Sequence, residues 1–109
     1  MMFFFLALFF LLFSGSASPA VELPDLKPGI NDLAAMFPAA SLEDLDHRLH
    51  RFKTETAHNV AVLTLKTLDG EDIEAVARRA FDRLPLSGDD KAESVLLVVA
   101  RSERQVAIH

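Results

Sequence analysis

An α/β fold around a short mixed sheet is predicted by three observations. Two β-prone apolar runs, Val60–Leu65 and Ser94–Ala100, have the near-continuous hydrophobicity of strands covered on both faces. Between them lies one strongly amphipathic helical segment. The strand–helix–strand unit is long enough for a right-handed crossover that leaves its two strands parallel. The closing stretch, Arg104–Ile108, alternates like an edge strand behind a short turn and completes an antiparallel hairpin.

Taken in order, Val21–Gly29 (VELPDLKPG) carries two prolines and a glycine and reads as an extended linker. Ile30–Phe37 reads as a short strand or a turn. Ala39–Thr56 holds the first helix, because Leu42, Leu45, Leu49 and Phe52 recur at three- and four-residue steps. Ser41–Asp44 resembles a capping box, and Pro38 is an equal candidate for opening the helix a turn earlier. Asp44 and Arg48 are spaced to pair on the wet face. Asn59 is suited to a left-handed cap after the last turn. Thr67–Gly70 is a turn. In Glu71–Leu84, the residues Ile73, Val76, Ala77, Ala80, Phe81 and Leu84 form an unbroken helical stripe that Pro85 ends. Leu86–Glu93 reads as a polar loop and Arg101–Glu103 as a turn.

The first twenty residues are of another kind. Met1–Phe13 is unbroken apolar sequence, small residues follow, and no charge appears before Glu22. The run is shorter than the roughly 20 residues of a spanning helix and matches a secretory signal peptide. Cleavage after Ala17 or after Ala20 places small residues where signal peptidase needs them. The protein is therefore expected to be exported: periplasmic, extracellular, or membrane-associated on the extracytoplasmic side.

Fewer than ninety of the 109 residues remain for one small domain, and they carry the whole formal charge of −5. An acidic domain is a poor nucleic-acid binder. With no cysteine there is no disulfide, thiolate metal site or cysteine nucleophile. Outside the leader the aromatics are Phe37, Phe52 and Phe81, with no Trp or Tyr, which argues against a stacking platform for bases or sugars.

Ile30-Asn31-Asp32-Leu33-Ala34, the run from Val60 to Leu84, Lys91–Ala100 and Glu103–Ile108 together resemble the TPM domain. This extracytoplasmic domain is shared by a plant thylakoid-lumen acid phosphatase, a photosystem II repair protein, a nematode acetylcholine-receptor modulator and many bacterial exported proteins. The resemblance covers residues 30–109. It implies a three-layer α/β/α sandwich and a phosphatase or a repair role. The family pattern continues past the last strand, so the chain is expected to be incomplete at its C-terminus, with any membrane anchor lying beyond His109. Where the family has Asp-Asn-Gly, this chain has Ala92-Glu93-Ser94.

Asp32, Asp89, Asp90 and Glu93 are the candidate ligands for calcium or magnesium, hard cations that take six or more oxygens. A metal there would polarise a phosphoryl group and activate water. The alternative reading is a solvated acidic turn. Arg101 and Arg104 flank the hairpin turn and suit a phosphate or a partner carboxylate, or else guard an exposed edge. His47 and His50 have a zinc-compatible spacing without an evident third ligand. No serine-nucleophile motif or glycine-rich phosphate loop is present. The expected role is an interaction or quality-control module for envelope or membrane proteins, the alternative a metal-assisted acid phosphatase.

Overall fold

The computed structural model describes residues 21–109, so the leader lies outside the described residues. Seven elements follow one another: β1 (Ile30–Asp32), α1 (Ala39–Thr56), β2 (Asn59–Leu65), α2 (Ile73–Asp82), α3 (Gly88–Ala92), β3 (Ser94–Ala100) and β4 (Gln105–Ile108). The strands form one sheet in the order β1-β2-β3-β4. β1, β2 and β3 are parallel, and β4 returns antiparallel to β3. The α/β class and the mixed sheet are therefore as the sequence predicts.

The register explains the core. Ala61, Leu63 and Leu65 lie opposite Leu96, Val98 and Ala100, and the pleat turns all six to one face. Onto that face α2 lays Ile73, Val76, Ala77 and Ala80. Ala77 and Ala80 are fully enclosed, and their small side chains let the helix approach the sheet closely. Asp72 caps α2 by accepting the Ala75 N–H at 3.2 Å. The helix thus starts at Ile73, the first residue of the stripe, two residues later than the predicted segment, and Glu71 is left outside it.

The stretch read as a linker is part of this core. It is extended, but Val21, Leu23 and Leu26 are buried against the α2 face. Arg79 Nη2 donates to the Val21 carbonyl at 2.8 Å, and Arg83 Nη1 to the Leu23 carbonyl at 2.6 Å. These bonds replace the sheet partners that the strap lacks.

The opposite face is built differently. Val62 and Thr64 point to it and are buried, and Ile30 of β1 lies beside Val62. α1 packs against β2 outside the α2 core, which makes the sheet the middle layer. The Leu42–Phe52 stripe, expected to be core, is only half covered: no residue of α1 is buried, and Phe52 is 42% exposed. α1 follows Pro38 without a side-chain cap, so the box at Ser41–Asp44 does not form, and Asp44 instead pairs with Arg48 at 3.0 Å. Ala57, at φ 64°, is the left-handed cap and donates to the Lys53 carbonyl; Asn59 opens β2 instead. The predicted polar loop contains α3, capped by Ser87. Among the described residues no helix is long and apolar enough to cross a membrane.

Candidate functional site

In open α/β sheets ligands gather at the carboxyl ends of the parallel strands. Here that end holds Asp32 from β1, Thr64 from β2 and Lys66 just after it, and Arg101 and Ser102 after β3. Asp32 is held firmly. Its Oδ1 accepts from Thr64 Oγ1 at 2.6 Å and from the Met36 N–H at 2.9 Å, and its Oδ2 from the Phe37 N–H at 3.1 Å. Burial pushes the Asp32 pKa up; the hydrogen bonds, that from Thr64 foremost, outweigh it and hold the carboxyl below its ordinary value. Thr64, fully enclosed, also accepts the Ala34 N–H at 3.0 Å. One hydroxyl thereby fixes both the loop after β1 and the carboxylate.

Arg101 reaches the same loop, with Nη1 3.4 Å from the Ala34 carbonyl. Arg104 closes the hairpin turn in a left-handed conformation, φ 53°, and is exposed. By sequence Glu103 is a turn residue, yet its Oε2 accepts from Thr67 Oγ1 and the Leu68 N–H, both at 2.9 Å. The Leu68 bond, with help from Thr67, lowers its pKa against the opposing effect of burial. Its Oε1 is buried without a hydrogen-bond partner. No sequence pattern marks Thr64 or Glu103, because their partners lie some thirty residues away.

The four proposed metal ligands are not brought together. Asp32 lies level with Thr64, and Thr64 with Val99. Glu93 precedes the start of β3, six residues before Val99. At roughly 3.3 Å per strand residue, that is about 20 Å. At that far end Glu93 pairs with His58 Nδ1 at 2.9 Å, Asp90 accepts from Ser87 Oγ, and Asp89 sits in the first turn of α3. The Asp32 oxygens are already engaged by three donors. The set does not fit one calcium or magnesium ion, and no group of three His, Cys, Asp or Glu placed to hold a metal occurs among the described residues.

Two clefts flank α1. One, about 610 Å³, is lined by Asp25, Lys27, Asp32, Glu43 and Asp46 among others, so carboxylates dominate it. The other, about 560 Å³, is lined by Asp46, His47, His50, Lys53 and Asn59. Asp46 lines both, and Gly29, which lines the second, has φ 97°; a Cβ there would meet Asp46 Oδ1 at 2.9 Å.

The third feature is apolar. Val95, Leu97 and Val99 of β3 share a face with Val106 and Ile108 of β4. This is the face that α1 leaves bare: Val95 is 42%, Val106 60% and Ile108 69% exposed.

Together these features define a small α/β domain with an open mixed sheet, a polar carboxyl-end loop cluster and one uncovered apolar strip. Comparison with known families makes the class specific: the TPM domain matches residues 30–109, and the chain belongs to that family. No curated protein matches the chain.

Proposed function

We propose that this is an exported TPM-type domain that serves as an interaction or quality-control module for a membrane or envelope protein. The observation that carries the reading is the bare strip of Val95, Val106 and Ile108 on an edge of the sheet. A small acidic domain gains nothing in folding from exposing these side chains, and contiguous apolar surface of this kind marks protein contact sites. Among the described residues β4 is an edge strand, and its outer backbone adds donors and acceptors to the same surface.

A photo-crosslinking residue at Ile108 in the exported chain tests this, with the same residue at Arg78 on the remote helix as control. A discrete adduct with one membrane or envelope protein from position 108 alone is the expected result. Adducts that are absent, or identical from both positions, would refute it.

The alternative, a metal-assisted acid phosphatase, draws support from Arg101 beside the Asp32 loop at the carboxyl end of the sheet. Against it stand the dispersed ligand set and the acidic cleft at Asp32, which repels phosphate. Turnover of a generic phosphate ester that is lost in Asp32→Asn would reverse the ranking.

A further inference from the structure

The N-terminal end of the strap is built around one carboxylate. Glu71 Oε2 accepts from the Val21 nitrogen at 2.5 Å. The same carboxylate takes both arms of Arg79, Oε1 from Nη1 at 3.0 Å and Oε2 from Nη2 at 3.1 Å. Arg79 Nη2 also holds the Val21 carbonyl. Both groups of the first strap residue are therefore gripped by one ion pair, and that residue is 9% exposed. Arg79, then the Val21 N–H, lower the Glu71 pKa to about 2, so it is an anion at any physiological pH.

This arrangement singles out one of the two cleavage points that the leader allows. Ala20 at the scissile position and Ser18 two residues before it meet the small-residue requirement. From Val21 onward the side chains at 21, 23 and 26 are committed to the core. We infer that the Ala20–Val21 bond is the processing site, and that cleavage delivers the new Val21 α-ammonium onto Glu71 as a lock for the strap. This inference rests on the export reading, not on the interaction role.

The chemistry is that of an endopeptidase such as signal peptidase, with water as co-reactant. The C–N bond of Ala20–Val21 breaks, the hydroxyl of water joins the Ala20 carbonyl carbon, and its hydrogen goes to the Val21 nitrogen. The proton of the resulting acid ends on the amine, giving a carboxylate on the departing leader and an ammonium on the mature chain. A neutral N–H donor on the Glu71 anion becomes a charged one, which adds direct charge attraction to a hydrogen bond that the ionised acceptor already strengthens. Processing after Ala17 would leave Ser18-Pro19-Ala20 attached and Val21 an ordinary amide.

Two measurements on the exported full chain test this. N-terminal sequencing of the secreted protein should begin at Val21. A start at Ser18 would leave export standing and overturn the site; recovery of Met1 would overturn both. The secreted protein is then compared with a form carrying Gly-Ser inserted between Ala20 and Val21, each with Glu71 and with Glu71→Gln. The native N-terminus should favour folding by up to about five-fold over the inserted form, the range of a partly exposed ion pair, and the advantage should vanish in Glu71→Gln. Equal stability of the two Glu71 forms, or an advantage that survives Glu71→Gln, would overturn the lock. Should Glu71→Gln fail to fold, a chemical probe decides. The Val21 amine should react with a pH-selective acylating reagent many-fold more slowly than the amine of the inserted form, and equal rates would overturn the proposal.

Discussion

The two helical layers begin from the same sequence rule and end in opposite states. α2 and α1 both repeat apolar residues at three- and four-residue steps, and α1 is the longer at 18 residues against 10. Yet α2 buries four of its residues, including Val76, Ala77 and Ala80 with no exposure, while α1 buries none. The difference lies in what each meets. α2 faces two paired strands, the strap and Ala107 of β4. α1 meets β2 beside the three-residue β1, and the neighbouring strip on β3 and β4 is uncovered. Periodicity tells which side of a helix is apolar; the area of sheet beneath it decides how much that side contributes.

The largest test of this contrast is at Leu63, fully buried between β2's neighbours and α2. Leu63→Ala should cost about 3–4 kcal/mol, read as a lower urea midpoint at unchanged slope. Leu49→Ala, the matching truncation on the α1 stripe, should cost only about 1–2 kcal/mol because the side chain is partly covered and leaves no enclosed cavity. Equal costs at the two sites would break the comparison.

Thr64→Val is the next step down. It keeps the shape but strands the Ala34 N–H and removes the hydroxyl that Asp32 accepts. A loss of about 1–3 kcal/mol is expected. The Asp32 carboxyl, relieved of its leading hydrogen bond, should titrate higher, which carbon-detected NMR would show. An unmoved Asp32 would mean that the two backbone donors alone set its acidity.

A pH series sharpens the α2 side. Glu71 has its folded pKa depressed to about 2 from an ordinary 4.5. A depressed carboxyl contributes stability that is fully present above the unfolded value and is lost as pH falls through the folded one. The denaturation midpoints of wild type and Glu71→Gln should therefore differ above pH 4.5 and converge between there and pH 2. A constant gap across that window would show that Glu71 acts by packing alone.

The smallest expected change in stability is at the bare strip. Val106→Thr and Ile108→Thr remove only exposed methyl surface, so the midpoint should shift by less than about 0.5 kcal/mol. Partner crosslinking, read from a photo-crosslinking residue at the neighbouring Val95, should fall in the double variant. A large loss of stability would mean that these side chains are covered in the folded protein.

Much of the fold can be read from local sequence. Ser94–Ala100 agrees with the observed strand at both ends, the first helix fills the Ala39–Thr56 stretch predicted to hold it, and β2 differs by one residue. The hairpin is also as read, and the α2 stripe is the buried face, although the helix itself is two residues shorter at each end than Glu71–Leu84. These features depend on backbone period and on neighbours within a turn or a strand, and such information is contiguous in the chain. The family resemblance is legible for the same reason.

What the tertiary structure alone decided is everything that joins distant residues. It made a strap of Val21–Leu26, part of the stretch to Gly29 whose prolines and glycine read as a linker, because Arg79 and Arg83 lie some sixty residues on and supply the hydrogen bonds. It separated Asp32 from Asp89, Asp90 and Glu93, because parallel strands send one chain end to each edge of the sheet. It gave Thr64 and Glu103 their roles through contacts that no spacing encodes. Composition and period state what each segment can bury or bond; only the register of the sheet states what comes to lie beside it.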